Sequence, residues 1–272
     1  MLLLCFASAF AKDRISIASF NLCVFGQSKA EKSDVMNCLV QILRNFDIIA
    51  VQEIRDKEET ALPRLLAQIS TPDNPYQAVI SPRLGRTASK EQYAFIYRTD
   101  LFEPLGEASV LPDPQDLFER EPFMAMFKVK EGNLDLILVD IHTKPEDAAR
   151  EISLLPKVMQ YAAEKYQEPD ILCLGDYNAD GSYFNETAYQ EIFPPQNYLQ
   201  LIPNSADTTV GSASLTYDRM TATSAMASDM TGTWGIYDFS SLPCVMTNGI
   251  NPKTISDHYP IWIEAYTNRD TD

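Results

Sequence analysis

The alternation of hydrophobic and polar positions predicts a chain in which strands and helices are interleaved. Residues 14–20, RISIASF, alternate polar and apolar side chains over the length of one strand. Apolar residues then recur at helical spacing from Ser33 to Phe46, and the apolar run DIIAVQ at 47–52 is typical of a buried strand. A second helix is predicted over 58–69. The chain therefore begins as strand, helix, strand, helix.

The rest of the pattern adds strands, a hairpin and a long helix. The runs FMAMFKV and LDLILVDI flank a Glu-Gly-Asn turn and have the form of a hairpin. Helical spacing returns over residues 145–166, and residues 185–233 are mixed, with short strand candidates. Further strands are predicted at 76–80, 93–97, 170–175 and 259–266. No linker rich in Pro, Gly or Ser separates two cores, so we expect one α/β domain with a largely β centre and helices outside.

The N-terminal stretch MLLLCFASAFA has the form of an export signal. Its apolar run ends in Ala9-Phe10-Ala11, the small-x-small pattern of a cleavage site, although a basic start is missing. We expect residues 1–11 to be a truncated signal peptide and residues 12–272 the mature domain of a secreted or extracytoplasmic protein. A buried N-terminal strand is the alternative. No other stretch approaches the roughly 18 apolar residues of a membrane span.

Charge and cysteine content narrow the classes of function. The net charge of −16 argues against binding of nucleic acid or anionic membranes through bulk electrostatics. It leaves a local basic groove or a metal-neutralised site open. The five cysteines form no CxxC pair and no metal-ligand spacing. Cys38 and Cys173 lie in apolar periodic segments, so we expect small core residues there, and the spacing demands no disulfide.

Polar residues of uncommon kind stand where the predicted strands end or begin, and both histidines of the chain are among them. They are Asn21, Glu53, His142, Asp176, Asn178, Asp218, Asp257 and His258. Side chains at strand ends converge in one crevice of an open sheet. Each Asp or Asn taken singly is an ordinary turn former. The joint pattern nevertheless predicts one site that combines carboxamides, carboxylates and both histidines.

This set of side chains suits hydrolysis of a phosphate ester. Carboxylate and carboxamide oxygens are hard ligands that favour Mg²⁺, Mn²⁺ or Ca²⁺ over zinc. Two histidines can divide the proton transfers, one activating water and the other protonating the leaving oxygen, each held by a carboxylate. The sequence contains no Walker P-loop, GxGxxG, GxSxG or HExxH motif, which excludes several common enzyme classes.

Several short motifs, in the same order along the chain, resemble the deoxyribonuclease I family of the endonuclease, exonuclease and phosphatase superfamily. They are SFNLCVFGQSK, DIIAVQEIRD, SPRLGRTASKEQYAFIYR, FEREPF, IHTKPED, GDYNAD, LIPNSADTTV, YDR and SDHYP, spread from about Ile15 to Glu264. GDYNAD and SDHYP are shared across the superfamily, whereas LGRTASKEQYAF, FEREP and SADTT resemble the deoxyribonuclease I branch. The resemblance implies a four-layer α/β/β/α sandwich of two packed mixed β-sheets, with the active site at the sheet edges.

The resemblance also implies a role for each matching residue. His142 with Glu91 resembles the general acid of the family, and His258 with Asp218 resembles the general base. Glu53 resembles the main ligand of Mg²⁺ or Mn²⁺. The rest of the metal and scissile-phosphate site falls on Asn21, Asp176, Asn178 and Asp257. Contacts to DNA phosphates fall on Arg55 and Arg120, and positions beside the phosphate or a structural Ca²⁺ fall on Asp207, Thr209 and Tyr217.

Departures from the family pattern affect DNA binding, disulfides and calcium. Cys23 stands where the family usually has a phosphate-binding arginine, and Ser89 where it usually has a minor-groove tyrosine. Gly181 and Leu215 occupy the usual disulfide positions, so we expect the disulfides of the family to be lost. The calcium loop reads ADTTVGSAS, which lacks two of the usual threonines and predicts weakened Ca²⁺ sites.

The sequence thus predicts a secreted, monomeric, Mg²⁺-dependent endonuclease that cuts DNA with little sequence specificity. A sphingomyelinase-type phosphodiesterase would share the metal and histidine core, but no exposed aromatic hairpin for membrane contact is evident. The sequence also leaves open that the protein is a genotoxin-like nuclease subunit that needs partner chains. Whether it binds an actin-like inhibitor is likewise undecided by the sequence. His142 disfavours an apurinic-site endonuclease, because that branch lacks this histidine. A nuclease-like fold that binds a protein without catalysis is disfavoured, because His142, His258, Glu53 and Asp176 are all present.

Overall fold

In the computed structural model, which describes residues 12–272, the chain folds into two six-stranded sheets packed face to face. The strands are β1 (Arg14–Phe25), β2 (Ile48–Ile54), β3 (Tyr76–Ile80), β4 (Gln92–Arg98), β5 (Phe102–Val110), β6 (Phe123–Val129), β7 (Asp135–His142), β8 (Ile171–Asp176), β9 (Tyr198–Gln200), β10 (Asp218–Thr223), β11 (Met230–Ile236) and β12 (Ile261–Tyr266). The α-helices are α1 (Gln27–Ala30), α2 (Ser33–Leu43), α3 (Ala61–Ile69), α4 (Ala148–Tyr166), α5 (Tyr189–Ile192), α6 (Pro243–Asn248) and α7 (Pro252–Ile255). The signal peptide expected at residues 1–11 lies outside the described residues.

Both sheets are mixed, and helices cover their outer faces. The strand order is β11-β12-β1-β2-β4-β3 in the first sheet and β5-β6-β7-β8-β10-β9 in the second. β1 pairs with β2, and β7 with β8, in parallel. Apolar side chains of the two inner faces, among them Ile17, Phe95 and Leu136, form the core between the sheets. α2 and α3 pack on the outer face of the first sheet and α4 on that of the second, which confirms the predicted four-layer sandwich.

Some elements differ from the sequence pattern. The run LTY at 215–217 has the pattern of a short strand that ends at Asp218, but these residues are not a strand, and Asp218 instead begins β10. β12 begins at Ile261, and His258 lies before it in a single bridge with Thr209. The pattern does not reveal β5, because Pro104 and a glycine interrupt it. An edge strand tolerates both residues, since one of its sides has no ladder partner.

The cysteines require one correction. Cys38 is buried as expected, but it is bonded to Cys244, with the two Cα atoms 5.7 Å apart. The bond joins α2 to α6 across a sequence separation of 206 residues, so only the fold brings the partners together. Cys173 is a buried free thiol, as predicted. Gly181 and Leu215 lie close together, because a Cβ at Gly181 would be 3.4 Å from the Leu215 side chain, and neither residue can form a disulfide.

The two parallel strand pairs bring site residues to the same end of the sandwich. In the first sheet Asn21 pairs with Gln52, the neighbour of Glu53. In the second sheet His142 pairs with Asp176, at the last residue of each strand. The two sheets meet here, because the Asn21 amide donates to the Asp176 carboxylate at 3.0 Å.

Within residues 12–272, no helix has the length and apolar character needed to cross a membrane.

Candidate active site

A distorted strand end in the first sheet positions Asn21 and Glu53. The register between β1 and β2 shifts after Asn21, and Cys23, Val24 and Glu53 adopt φ values of 49°, 54° and 59°. Such left-handed conformations are costly for residues other than glycine and cluster at functional sites. They let the Asn21 Oδ1 accept from the Cys23 N–H at 2.8 Å and the Glu53 Oε2 accept from the Val24 N–H at 2.8 Å.

The second sheet and the loop before β12 direct both histidines at one carboxylate. Nε2 of His142 lies 3.5 Å from Oδ2 of Asp176, and Nε2 of His258 lies 3.4 Å from the same oxygen. The Asn178 backbone N–H donates to the other oxygen of Asp176 at 3.0 Å. The Asn178 side chain donates to the carbonyl of Thr143 at 3.1 Å. Asp176 is therefore the centre of the polar cluster.

Each imidazole is held from behind by its own buried carboxylate. Nδ1 of His142 lies 2.7 Å from Oε1 of Glu91, and Nδ1 of His258 lies 2.8 Å from Oδ2 of Asp218. Both carboxylates are fully buried. A carboxylate only accepts hydrogen bonds, so each Nδ1 carries a proton and each Nε2 is left to exchange one. Both pairings were expected from the family resemblance.

The charges of the cluster shift the pKa values of its members. Burial disfavours the charged form of His142, but the Glu91 carboxylate outweighs burial and raises the pKa of His142. Burial acts in the same way on His258, where Asp218 and Asp176 outweigh it and raise the pKa of His258 to about 10. The pKa of Asp176 is lowered despite burial, because the two histidines stabilise the carboxylate.

Asp218 and His258 share one proton. Burial raises the pKa of the Asp218 carboxyl, whereas the adjacent His258 lowers it. We assign the proton to the imidazole, because the same hydrogen bond raises the pKa of His258. Thr208 Oγ1 accepts the backbone N–H of Asp218 at 3.2 Å and fixes the start of β10. Oδ1 of Asp218 remains buried without a hydrogen-bond partner.

The two arginines of the site have different environments. The Arg120 side chain is 9% exposed; its Nε lies 3.0 Å from Glu91, and it donates to the His142 carbonyl at 2.9 Å and the Thr143 carbonyl at 3.0 Å. The Arg55 side chain is 29% exposed, with its Nε 3.3 Å from Glu91 and 3.5 Å from Glu53. Arg55 is thus the more accessible to a ligand, whereas Arg120 mainly holds protein groups.

The other predicted residues surround this centre at different depths. The Tyr217 ring is 6.3 Å from the His258 ring, and Thr209 is the bridge partner of His258. Asp207 lies in the same loop as Thr209, and its Oδ1 accepts the Thr209 N–H at 3.3 Å. Asp257 is exposed and interacts with the Cys23 thiol. The structure therefore brings Asp257, Thr209 and Tyr217 beside His258, and Asp207 contacts Thr209 in the same loop.

Three supporting residues escaped the sequence analysis. The buried Lys29 ammonium donates to the carbonyls of Leu22 and Cys23, both at 2.7 Å, which holds the distorted end of β1. Ser256 donates to the Asn21 carbonyl at 2.7 Å and accepts the His258 N–H at 3.0 Å, so it couples the two sides of the site. Tyr93 accepts the His142 N–H at 2.9 Å. Lys29 ends the motif SFNLCVFGQSK, and that position is the signal that could have identified it.

The donor set fits a divalent cation with hard oxygen ligands. Glu53 and Asp176 both accept from the Asn21 amide, at 3.2 and 3.0 Å, so their carboxylates border the same space. Ligand atoms of Asp176, Asp218 and His258 also lie within 4.8 Å of one another, but the Asp218–His258 hydrogen bond engages two of them. The Glu53 side chain is 15% exposed and that of Asp218 is closed to solvent. Glu53 and Asp176 are therefore the better candidates.

Comparison with known proteins agrees with this geometry. A sequence model described as the Endonuclease/Exonuclease/phosphatase family matches residues 18–258. Deoxyribonuclease-1 of Equus caballus is 34% identical over 259 residues, covering 91% of this chain and 90% of that protein. Deoxyribonuclease-1-like 2 of Mus musculus is 37% identical over 215 residues, covering 78% of this chain and 77% of that protein.

Solved structures share the two-sheet architecture at low sequence identity. An endonuclease/exonuclease/phosphatase from Bacteroides vulgatus matches with a TM-score of 0.66 at 16% identity, covering 93% of this chain and 99% of that chain. A family protein from Bacteroides thetaiotaomicron gives 0.63 at 15% identity, covering 94% and 98%. Likeness at this identity concerns the fold alone, whereas the sequence match extends over nearly all of the described residues. The chain therefore belongs to the deoxyribonuclease I family of the endonuclease/exonuclease/phosphatase superfamily.

Proposed function

We propose that the protein is a divalent-metal-dependent endonuclease that hydrolyses DNA phosphodiester bonds with little sequence specificity. The observation that carries the proposal is the convergence of two histidine–carboxylate pairs on one oxygen of Asp176. Such a pair of imidazoles can give and take a proton on opposite sides of a phosphate. Relatives named deoxyribonuclease support DNA as the substrate.

In the proposed step, water attacks phosphorus in line while the bond to the 3′ oxygen breaks. Nε2 of His258 accepts the proton of the water, and Asp218 stabilises the resulting imidazolium. Nε2 of His142 donates its proton to the departing 3′ oxygen, and Glu91 keeps the ring oriented. We expect the side-chain amides of Asn21 and Asn178, which donate to Asp176 and to the Thr143 carbonyl in the structure, to stabilise the negative charge that develops on the phosphate. The products are a 5′ phosphate and a 3′ hydroxyl.

Glu53 and Asp176 would hold the cation, with Asp257 at the rim. A bound Mg²⁺ or Mn²⁺ supplies positive charge to the scissile phosphate and favours the neutral form of His258 that a general base requires. Without a cation, the carboxylates of Asp218 and Asp176 raise the pKa of His258 to about 10, which opposes the neutral form.

Arg55 is the proposed contact to a neighbouring DNA phosphate, because its guanidinium is partly exposed beside the site. Tyr217 and Thr209 would line the phosphate at the His258 side. Arg120 reaches the substrate less readily and would act chiefly by holding Glu91 and the strand end at His142. A structural Ca²⁺ would fall at Asp207. We further propose that the protein is monomeric and works outside the cytoplasm, in keeping with the Cys38–Cys244 bond.

Nicking of supercoiled plasmid by the full chain tests the proposal. We expect activity with Mg²⁺ or Mn²⁺ and its loss with EDTA. His142→Ala and His258→Ala should each slow nicking by roughly 10² to 10⁴-fold. Gln160→Ala, an exposed change on α4, should nick at the parental rate and controls for handling. Parental rates in both histidine variants would exclude the two-histidine mechanism.

A parallel assay on sphingomyelin separates the two phosphodiesterase classes. The same purified protein is incubated with plasmid and with sphingomyelin, in Mg²⁺ and in EDTA. Plasmid nicking without choline-phosphate release is the expected result. Choline-phosphate release without nicking would replace the endonuclease with a sphingomyelinase-type enzyme, which shares the same metal and histidine core.

A further inference from the structure

A second acidic cluster lies at the end of the sandwich opposite the active site. Asp170 stands immediately before β8, and Asp176 is the last residue of that strand. A strand rises about 3.3 Å per residue, so the two aspartates are roughly 20 Å apart. Asp170 and the carboxylates around it form what we call the distal cluster; its members are Asp135, Glu168, Asp170, Asp229, Asp270 and Asp272.

Three carboxylates of the distal cluster already have ligand geometry. One oxygen each of Glu168, Asp170 and Asp272 lies within 4.8 Å of the others. Glu168 is 8% exposed and Asp170 is 2% exposed, whereas Asp272 is open to solvent. The Asp170 N–H donates to Glu168 Oε1 at 2.8 Å, which fixes the Glu168 side chain. Two buried carboxylates thus face a third from the surface.

Asp229 is an independent indication of a ligand at this place. It is 1% exposed, and neither of its carboxylate oxygens accepts a hydrogen bond from an N–H or hydroxyl group of another residue. Its side-chain partner is Asp170, another carboxyl group of the cluster. A buried carboxylate without a hydrogen bond or counterion is strongly disfavoured. Either a proton shared with a neighbouring carboxyl group or a bound cation is therefore required beside it.

The described residues supply no positive charge to the distal cluster. None of the ion pairs formed within residues 12–272 includes a carboxylate of the distal cluster. Burial, together with the neighbouring carboxylates, raises the pKa of Glu168 and of Asp170 to about 8. The cluster therefore binds either protons or a cation.

We propose that Glu168, Asp170, Asp229 and Asp272 form a second divalent-cation site, with Ca²⁺ as its ligand. Ca²⁺ accepts several carboxylates in irregular geometry, whereas Mg²⁺ demands a near-ideal octahedron and keeps its waters. The absence of His and Cys from the cluster disfavours zinc. This site is separate from the proposed catalytic cation at Glu53 and from the loop of Asp207.

The site would tie the two sheets together. Asp170 leads into β8 of the second sheet, whereas Asp229 precedes β11 and Asp272 follows β12 in the first. The Tyr266 N–H donates to the Asp229 carbonyl at 2.7 Å, so β12 already holds this turn in place. A cation bound to all three segments closes the end of the sandwich and stabilises the native state by mass action.

Calorimetric Ca²⁺ titration of the full chain, previously stripped with EDTA, tests the proposal. The Asp229→Asn variant should bind one Ca²⁺ fewer per chain than the parent and lose a Ca²⁺-dependent rise in Tm of roughly 5 °C. Asp73→Asn, a change at an exposed position outside the distal cluster, should retain the parental stoichiometry. Plasmid nicking at saturating Mg²⁺ should be equal in all three proteins, because the distal cluster is remote from the catalytic centre.

A surface variant keeps the test decisive if Asp229→Asn does not fold. Asp272 is exposed, so Asp272→Asn should fold normally and bind one Ca²⁺ with a Kd raised about tenfold, as expected for the loss of one carboxylate ligand. Unchanged affinity in Asp272→Asn overturns the four-ligand site. Unchanged stoichiometry in a folded Asp229→Asn protein does the same, and assigns the positive charge of the cluster to bound protons.

Discussion

Asp140 is a buried carboxyl between the two sheets that lies outside the proposed catalytic steps. Its Oδ1 accepts from the Gln52 amide at 2.6 Å, and its Oδ2 is buried without a partner. Burial raises the pKa of Asp140 well above the ordinary value of 3.8. The folded chain therefore keeps this proton to higher pH than the unfolded chain, and the stability that Asp140 contributes declines as pH rises above that value.

Asp140→Asn should remove this pH dependence, because an amide cannot lose the proton. We expect the free energy of unfolding of the parent to fall more steeply from pH 5 to pH 8 than that of the variant, by at most about 1.4 kcal/mol per pH unit. Urea titrations in EDTA across this range measure the two slopes. Asp73→Asn should follow the parent. Identical slopes in parent and Asp140→Asn would show that this carboxyl ionises normally.

Arg55 and Arg120 differ in what their loss should cost. Arg55→Met should raise KM for DNA and lower the slope of log binding constant against log salt by about 1, with little change in unfolding. Arg120→Met should lower the free energy of unfolding by about 3–5 kcal/mol, because buried Glu91 loses a cationic partner and the His142 and Thr143 carbonyls lose their donor. Urea unfolding and binding of short duplexes at several salt concentrations separate the effects. Equal unfolding energies in the two variants would contradict the distinction.

The parallel pair β7–β8 sets the spacing between His142 and Asp176. Gly175 adopts a φ of 143°, and a Cβ at this position would lie 1.9 Å from the Ile141 carbonyl oxygen. Gly175→Ala should therefore push the strands apart and slow nicking by roughly 10²-fold, the scale expected for an ångström of misplacement. Gly106→Ala is the matched control, because its φ of 67° is also positive but nothing lies within 4 Å. Equal losses in both would implicate backbone conformation instead of the clash.

Element prediction from sequence succeeds where a single periodicity dominates. The hairpin of β6 and β7, the helix α4 and the strand at 76–80 appear nearly as the apolar pattern predicts them. The pattern does not reveal β5, because edge position and not composition makes it a strand. The pattern predicts a strand that ends at Asp218, whereas β10 begins there. The reason is that residues 215–217, which precede β10, are of types common in strands.

The sequence predicts which polar residues form the site, but it does not predict the residues that hold them in position. Asn21, His142 and Asp176 stand at or near strand ends, which the sequence reveals. Lys29 and Ser256 contact backbone atoms of a distorted strand, and no periodicity encodes such contacts. The same holds at the scale of the molecule for the distal cluster and for the Cys38–Cys244 bond, whose members are far apart in sequence. Contacts between distant segments require the packed sheets before they exist.

The Cys38–Cys244 bond constrains the whole chain, because it closes 206 residues of sequence between α2 and α6. A cross-link over so long a loop removes much of the entropy of the unfolded chain, and its reduction should lower the free energy of unfolding by about 2–5 kcal/mol. Urea unfolding with and without dithiothreitol measures the effect. The double variant Cys38→Ala/Cys244→Ala is the control and should not respond to reductant. An equal response of parent and double variant would mean that this bond does not stabilise the native protein, and would remove its support for an extracytoplasmic location.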